Sequence, residues 1–179
     1  MKQKNRTLWI TRTAVFLALL LVLQAATAPF GNMFLTGSLV NFLLITAVML
    51  CGPASGFTVA VLSPMLARLL GIGPLWSLIP FIVAGNVTIC AVWCLAAGRG
   101  GKAGVVKTGL AVAAGAAAKT AVLYLGIVRL AVPYLLALPE PQASLISGMF
   151  SLPQFFTAVA GGTAAGILLP LLRRAVKEA

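Results

Sequence analysis

The sequence predicts an all-α integral membrane protein, a single transmembrane domain over residues 1–179 built as a bundle of about six helices with both termini cytoplasmic. Three observations predict it. Of the 179 residues, 61% are hydrophobic and only 8% are charged, whereas about a quarter of a soluble domain is charged. The mean hydropathy is +1.08. The apolar residues fall into runs separated by Gly and Pro clusters, and a crossing needs about 20 residues, so the chain has room for about six spans.

The first run follows Lys2, Lys4, Arg6 and Arg12, and predicts helix 1 over about 9–28. Its end, Ala26-Thr27-Ala28, has the A-x-A form of a signal-peptide cleavage site. Cleavage there would place Pro29 at the scissile bond, a tertiary amide with a fixed φ, so the segment is expected to stay as a helix. Residues 29–37 read as a loop, and helix 2 follows over about 38–51. Gly52-Pro53-Ala54-Ser55-Gly56 turns the chain into helix 3, about 56–70, and Gly71-Ile72-Gly73-Pro74 turns it back into helix 4, about 75–97. Ser63-Pro64 lies inside helix 3, which is expected to face protein or a cavity, where carbonyls freed by the proline find other partners. A hydrophilic stretch around Arg99 and Lys102 precedes helix 5, about 106–137, and residues 138–142 lead to helix 6, about 145–172.

Charge sets the orientation. The chain has thirteen Lys and Arg, two Glu, no Asp and no His. Ten of the cations fall in three pieces of chain on one side of the predicted bundle: Lys2, Lys4, Arg6 and Arg12; Arg99, Lys102 and Lys107; Arg173, Arg174 and Lys177. The loops on the other side hold none, so the positive side is read as cytoplasmic. The same clustering argues against nucleic acid as the partner, because the charge follows topology and does not line one polar face.

Three cations, Arg68, Lys119 and Arg129, are left inside apolar helices. A central Lys or Arg costs about 2.5–3.5 kcal/mol on the insertion scale, which makes such residues candidates for ligand contact. Topology places Lys119 near mid-membrane, with Arg129 about 15 Å further out. On an α-helical wheel the two are about 80° apart and can border one cavity. Arg68 and Arg129 are also near enough to the outer interface to snorkel; Lys119 has further to reach. Asn41, Asn86 and Gln154 are the polar neutral residues in the helices that join them as candidates, either as ligand contacts or as hydrogen-bonding glue between helices. Trp76, Tyr134 and Phe150 fit an aromatic belt at the outer interface. Both acids, Glu140 and Glu178, lie outside the spans, so unpaired cations in a cavity favour an anionic ligand.

The chain lacks a membrane carboxylate, a His, a metal-ligand cluster and a P-loop, which leaves no basis for catalysis, proton relay, metal binding or ATP hydrolysis by this chain. Neither a catalytic residue nor a cofactor is expected. Cys51, Cys90 and Cys94 read as small packing residues; Cys90 and Cys94 share a helix face but have no further metal ligands beside them. A transporter so equipped is either driven by partner proteins or passive. Small-x-x-x-small patterns that permit close helix contact occur at Ala14 and Ala18, around Gly115, and at Gly162 and Gly166.

The basic start running into Arg12-Thr13-Ala14-Val15-Phe16-Leu17-Ala18, the passage Thr36-Gly37-Ser38-Leu39-Val40-Asn41, and the turn Gly52-Pro53-x-x-Gly56 resemble the substrate-binding S components of energy-coupling factor transporters, over essentially the whole chain. The resemblance implies capture of a vitamin or related micronutrient from outside, at a prokaryotic plasma membrane. It implies partners: a transmembrane T component and two cytoplasmic ATPases that drive release as the S component topples. It also implies that Ala14 and Ala18 form the surface that meets the T component, and that the loop from Pro29 to Gly37 gates the pocket. The acids expected around a cationic thiamine are missing, and no riboflavin or biotin signature is visible. A stand-alone facilitator or secondary carrier for a small organic anion, and a structural membrane protein that binds no small molecule, are the competing readings.

Overall fold

The computed structural model describes residues 2–97 and 104–178, with side chains described over 6–96 and 104–175. Arg99 and Lys102, and the side chains of Lys2, Lys4 and Lys177, all used above to orient the chain, lie outside the described residues.

The chain is an all-α membrane bundle. Its helices are α1 (Lys2–Thr27), α2 (Met33–Cys51), α3 (Pro53–Leu69), α4 (Ile79–Ala97), α5 (Val105–Leu123), α6 (Glu140–Met149) and α7 (Leu152–Glu178). Between α5 and α6, Tyr124–Leu136 continues the helix with the wider π winding. Five helical stretches are long and apolar enough to cross a membrane: Arg6–Phe30, Met33–Cys51, Trp76–Ala96, Val105–Leu136 and Glu140–Ala175. The sixth pass is α3, whose 17 residues span about 25 Å, slightly less than a bilayer core.

Several element limits differ from the sequence reading, each for a local reason. The nine-residue loop expected over 29–37 is mostly helical. Ala28–Phe30 form a single 3-10 turn closed by Gly31 at φ 60°, and Asn32 then caps α2 by accepting a hydrogen bond from the Leu35 amide at 3.1 Å. The N-cap supplies the partner that a helix start lacks, so α2 begins at Met33. Gly37, read as loop, sits inside α2 facing Thr157, where an added Cβ would lie 3.0 Å from the Thr157 methyl. Expected helix 6 is two elements. Ten-residue α6 packs against the π segment and the start of α7, the chain breaks at Phe150-Ser151, and Pro153 occupies the first turn of α7, where proline is tolerated.

The passes alternate in direction and join through tight turns. Gly52 takes φ 93°, a conformation open to glycine, and Pro53 starts α3 at once. The resulting α2–α3 hairpin is closely packed: a Cβ on Gly56 would lie 2.7 Å from Cα of Val48. On the other side, Trp93 fills the seam where α4, α5 and α7 meet, with Gly115 and Gly162 beside its ring. A Cβ on Gly166 would lie 2.6 Å from the Thr108 methyl. Gly162 and Gly166 therefore pack the bundle's own interior and are not a free surface for a partner, because that face of α7 points at α4 and α5.

One apolar cluster, including Leu44, Ile45, Val59, Ile89 and Trp93, fills the half of the bundle nearer the start of α1 and the end of α7. A second, Leu78, Leu123, Ile127, Ala131 and Phe150, lies toward the opposite end. Between them the bundle opens into a cavity.

Candidate substrate cavity

The cavity has a volume of about 420 Å³ and is lined from six passes: the C-terminal ends of α1, α3 and α5 and the N-terminal ends of α2, α4 and α7. It therefore lies at the end of the bundle opposite the start of α1 and the end of α7. Its floor follows from helix geometry. One turn deeper than Asn41, Asn86 and Lys119 stand Leu44, Ile89 and Ala116, all fully buried, and they close the cavity toward that far end. Its walls carry Val40, Ile82, Leu123 and Phe150, and its rim carries Asn32, Thr36 and the Ile72-Gly73-Pro74 turn.

Four of the six residues singled out from sequence come together here: Lys119, Asn41, Asn86 and Gln154 all line the cavity. Lys119 is 4% exposed, Asn41 1% and Asn86 3%. The Lys119 ammonium donates to Oδ1 of Asn41 at 2.6 Å and to Oδ1 of Asn86 at 2.8 Å. Behind Asn41 the network continues: its Nδ2 donates to Oγ1 of Thr157 at 3.4 Å, and that hydroxyl donates to the Gln154 carbonyl at 3.0 Å. Gln154 contributes its backbone to this chain, while its side-chain amide donates to the Met149 carbonyl across the α6–α7 break.

Helix packing makes the cluster possible. Gly161 lets α7 approach the backbone of α2, its Cα turned to the Ser38 carbonyl and to Cβ of Asn41, so that Thr157 one turn earlier meets the Asn41 amide. A side chain at Gly161 would reach Asn41 Cβ at 2.8 Å. Asn41, placed near the outer end of helix 2 when that helix was expected to begin at 38, is eight residues inside α2 because α2 begins at Met33. That brings it about 12 Å into the bundle, to the depth of Lys119.

Arg129 and Arg68 do not belong to the cavity. Arg129 is exposed on the π segment, and Arg68 is half-buried near the end of α3; neither is among the lining residues. The wheel that set Arg129 beside Lys119 assumed α-helical winding throughout. From Tyr124 the i→i+5 winding turns less per residue and leaves Arg129 roughly a quarter turn behind, on the outer face. Phe150, assigned above to an aromatic belt, is buried and lines the cavity, whereas Trp76 and Tyr134 are exposed.

Sequence reading missed Thr157, Gln24 and Thr27. The signal for Thr157 was its place one turn after Gln154. Thr36 donates to Thr27 at 2.8 Å and ties the start of α2 to the end of α1 at the cavity rim. Gln24 lines the cavity, and its Oε1 is buried with no hydrogen-bond partner among the described residues. Of the cysteines, Cys90 is buried in the floor with its thiol 3.8 Å from the Leu44 carbonyl, and Cys51 and Cys94 line a smaller cleft at the far end of the bundle. Among the described residues, no group of three metal-ligating side chains forms.

Chemically, the cavity is an apolar pocket with one buried cation at its base. No acid among the described residues lines it, and Glu140 is exposed at the start of α6. Such a site attracts negative charge, and two neutral amide oxygens hold the ammonium without cancelling it. No protein-family model, curated protein or solved structure matches the chain.

Proposed function

We propose that the chain is the substrate-binding S component of an energy-coupling factor importer, taking a small anionic, vitamin-like compound from outside a prokaryotic plasma membrane. Delivery then depends on a T component and two cytoplasmic ATPases. The single observation that carries the reading is the cavity: about 420 Å³, closed toward the end that charge marks as cytoplasmic, with Lys119 buried at its base and, among the described residues, no carboxylate to neutralise it. A pocket of that size falls within the range of about 300–1,000 Å³ typical of small-molecule sites.

Two further features support it. Burying an ammonium in a membrane bundle is costly unless it has work to do, and the helices that carry Lys119 and its partners bury no other charge among the described residues. Ala14 and Ala18 are exposed on α1, one turn apart and flanked by exposed Val15 and Leu19. This face is small enough for another transmembrane helix to approach closely. The sequence carries no P-loop, so ATP-driven uptake, in this reading, draws on partner subunits.

Affinity purification of the tagged chain from its native membrane tests the reading. The expected result is stoichiometric recovery of a transmembrane protein and two ATPases. A chain that purifies alone under mild detergent, and transports when reconstituted alone, overturns it.

A further inference from the structure

The hydrogen bonds around Lys119 narrow the substrate class, on the premise that the cavity is a substrate site. An ammonium has three N–H donors and no acceptor. Two of them go to the amide oxygens of Asn41 and Asn86. A cation also decides which way each amide turns, because an NH2 group facing it would be repelled; the oxygen faces Nζ and the nitrogen faces away. For Asn41 the nitrogen is spent on Thr157. For Asn86 the nitrogen has no partner among the described residues, and Asn86 lines the cavity. The base of the cavity thus offers two donors side by side, the third N–H of Lys119 and Nδ2 of Asn86.

We infer that the cavity takes a small organic monocarboxylate, one oxygen on Lys119 Nζ and the other on Asn86 Nδ2, with its body against Ile82, Leu123 and Phe150. One buried cation balances one negative charge. A phosphate dianion would keep an uncompensated charge in a low-dielectric site, which costs heavily. A zwitterionic amino acid would bring an ammonium into a cavity that no acid among the described residues lines. A neutral amide would forgo the charge-assisted bond, which is about twice as strong as a neutral one.

Matched ligands of two body sizes test this on the purified full chain: benzoate, benzamide, phenyl phosphate and phenylalanine, and the naphthyl counterparts of the first three. Binding is read by thermal shift and confirmed by equilibrium dialysis. In at least one series the carboxylate is expected to bind tenfold or more tighter than its amide, its phosphate or the amino acid. Asn86→Asp should abolish that preference by pairing Lys119 internally, in a variant that keeps the hydrogen bond to Nζ and melts no lower than the parent. Asn86→Leu should weaken the carboxylate about tenfold and leave the amide within twofold. The inference is overturned if no carboxylate binds better than its amide, if a phosphate or amino acid binds as well, or if Asn86→Asp keeps the preference. Recovery of the ATPase partners alongside such a result would sink the monocarboxylate while leaving the importer reading intact; carboxylate binding by a chain that has no partners would do the reverse.

Discussion

Replacing Lys119 by Met separates a ligand-binding lysine from a structural one. The substitution keeps most of the side-chain volume and removes the charge. It loses two charge-assisted hydrogen bonds, at 2.6 and 2.8 Å, each contributing about 1.5–3 kcal/mol. Against that stands the desolvation of an ammonium that is 4% exposed, an effective penalty of several kcal/mol. The two amide oxygens left behind belong to residues that border the cavity. The terms nearly cancel, and the net change should stay within about 2 kcal/mol, or roughly 6 °C in melting temperature for a chain of this size. Asn41→Leu makes the opposite case. It leaves the ammonium in place, strips one of its two acceptors and breaks the bond to Thr157, at a cost of about 3 kcal/mol or more. Melting curves of both variants in the same detergent, followed by size-exclusion fluorescence, give the comparison. Asn41→Leu should melt well below Lys119→Met, and Lys119→Met should lose binding of any anionic substrate. If Lys119→Met melts as low as Asn41→Leu, the lysine holds the fold together and the argument from a costly, purposeful charge fails.

Three further outcomes follow from the packing. Gly161→Ala should cost about 1–3 kcal/mol, because its Cβ meets α2 backbone that cannot move aside, and it should weaken binding by displacing Asn41; melting and ligand titration check both. Arg129→Ala should change affinity less than twofold, since Arg129 is exposed and off the cavity; a tenfold loss would mean that the outer end of the bundle closes over the substrate. Ala18→Leu should leave melting and ligand binding unaltered while reducing recovery of the transmembrane partner several-fold in pull-downs, because Ala18 is exposed on α1 and lines no cavity.

What was legible in the sequence divides along physical lines. The membrane class and the passes were written in hydropathy, a one-dimensional signal that survives without packing. So was the singling out of Lys119 as a mid-span cation, which the structure buries at the cavity, because insertion cost depends on depth along a helix. The ends of α2 and α6 were not. Asn32 as a cap and Pro153 in a first helical turn were present as signals, yet Pro29, Gly31 and Gly37 read more loudly as a loop. Gly37 turned out to be a contact point with Thr157. The meeting of Asn41, Asn86 and Lys119 depends on azimuth. Three helices had to be rotated correctly relative to one another, and Gly161 fixes one of those rotations from α7. Arg129 was misplaced for the same reason: the switch to π winding at Tyr124 has no marker in composition or spacing, and every residue after it shifts around the helix.

The most direct test of the central claim is solute uptake into sealed vesicles, with the small molecule that copurifies with the chain supplied as labelled substrate. The chain alone and the chain with its T component and ATPases are compared, with and without ATP. Uptake should require all the subunits and ATP, and should vanish with Lys119→Met. Uptake by the chain alone, without ATP, would contradict the account.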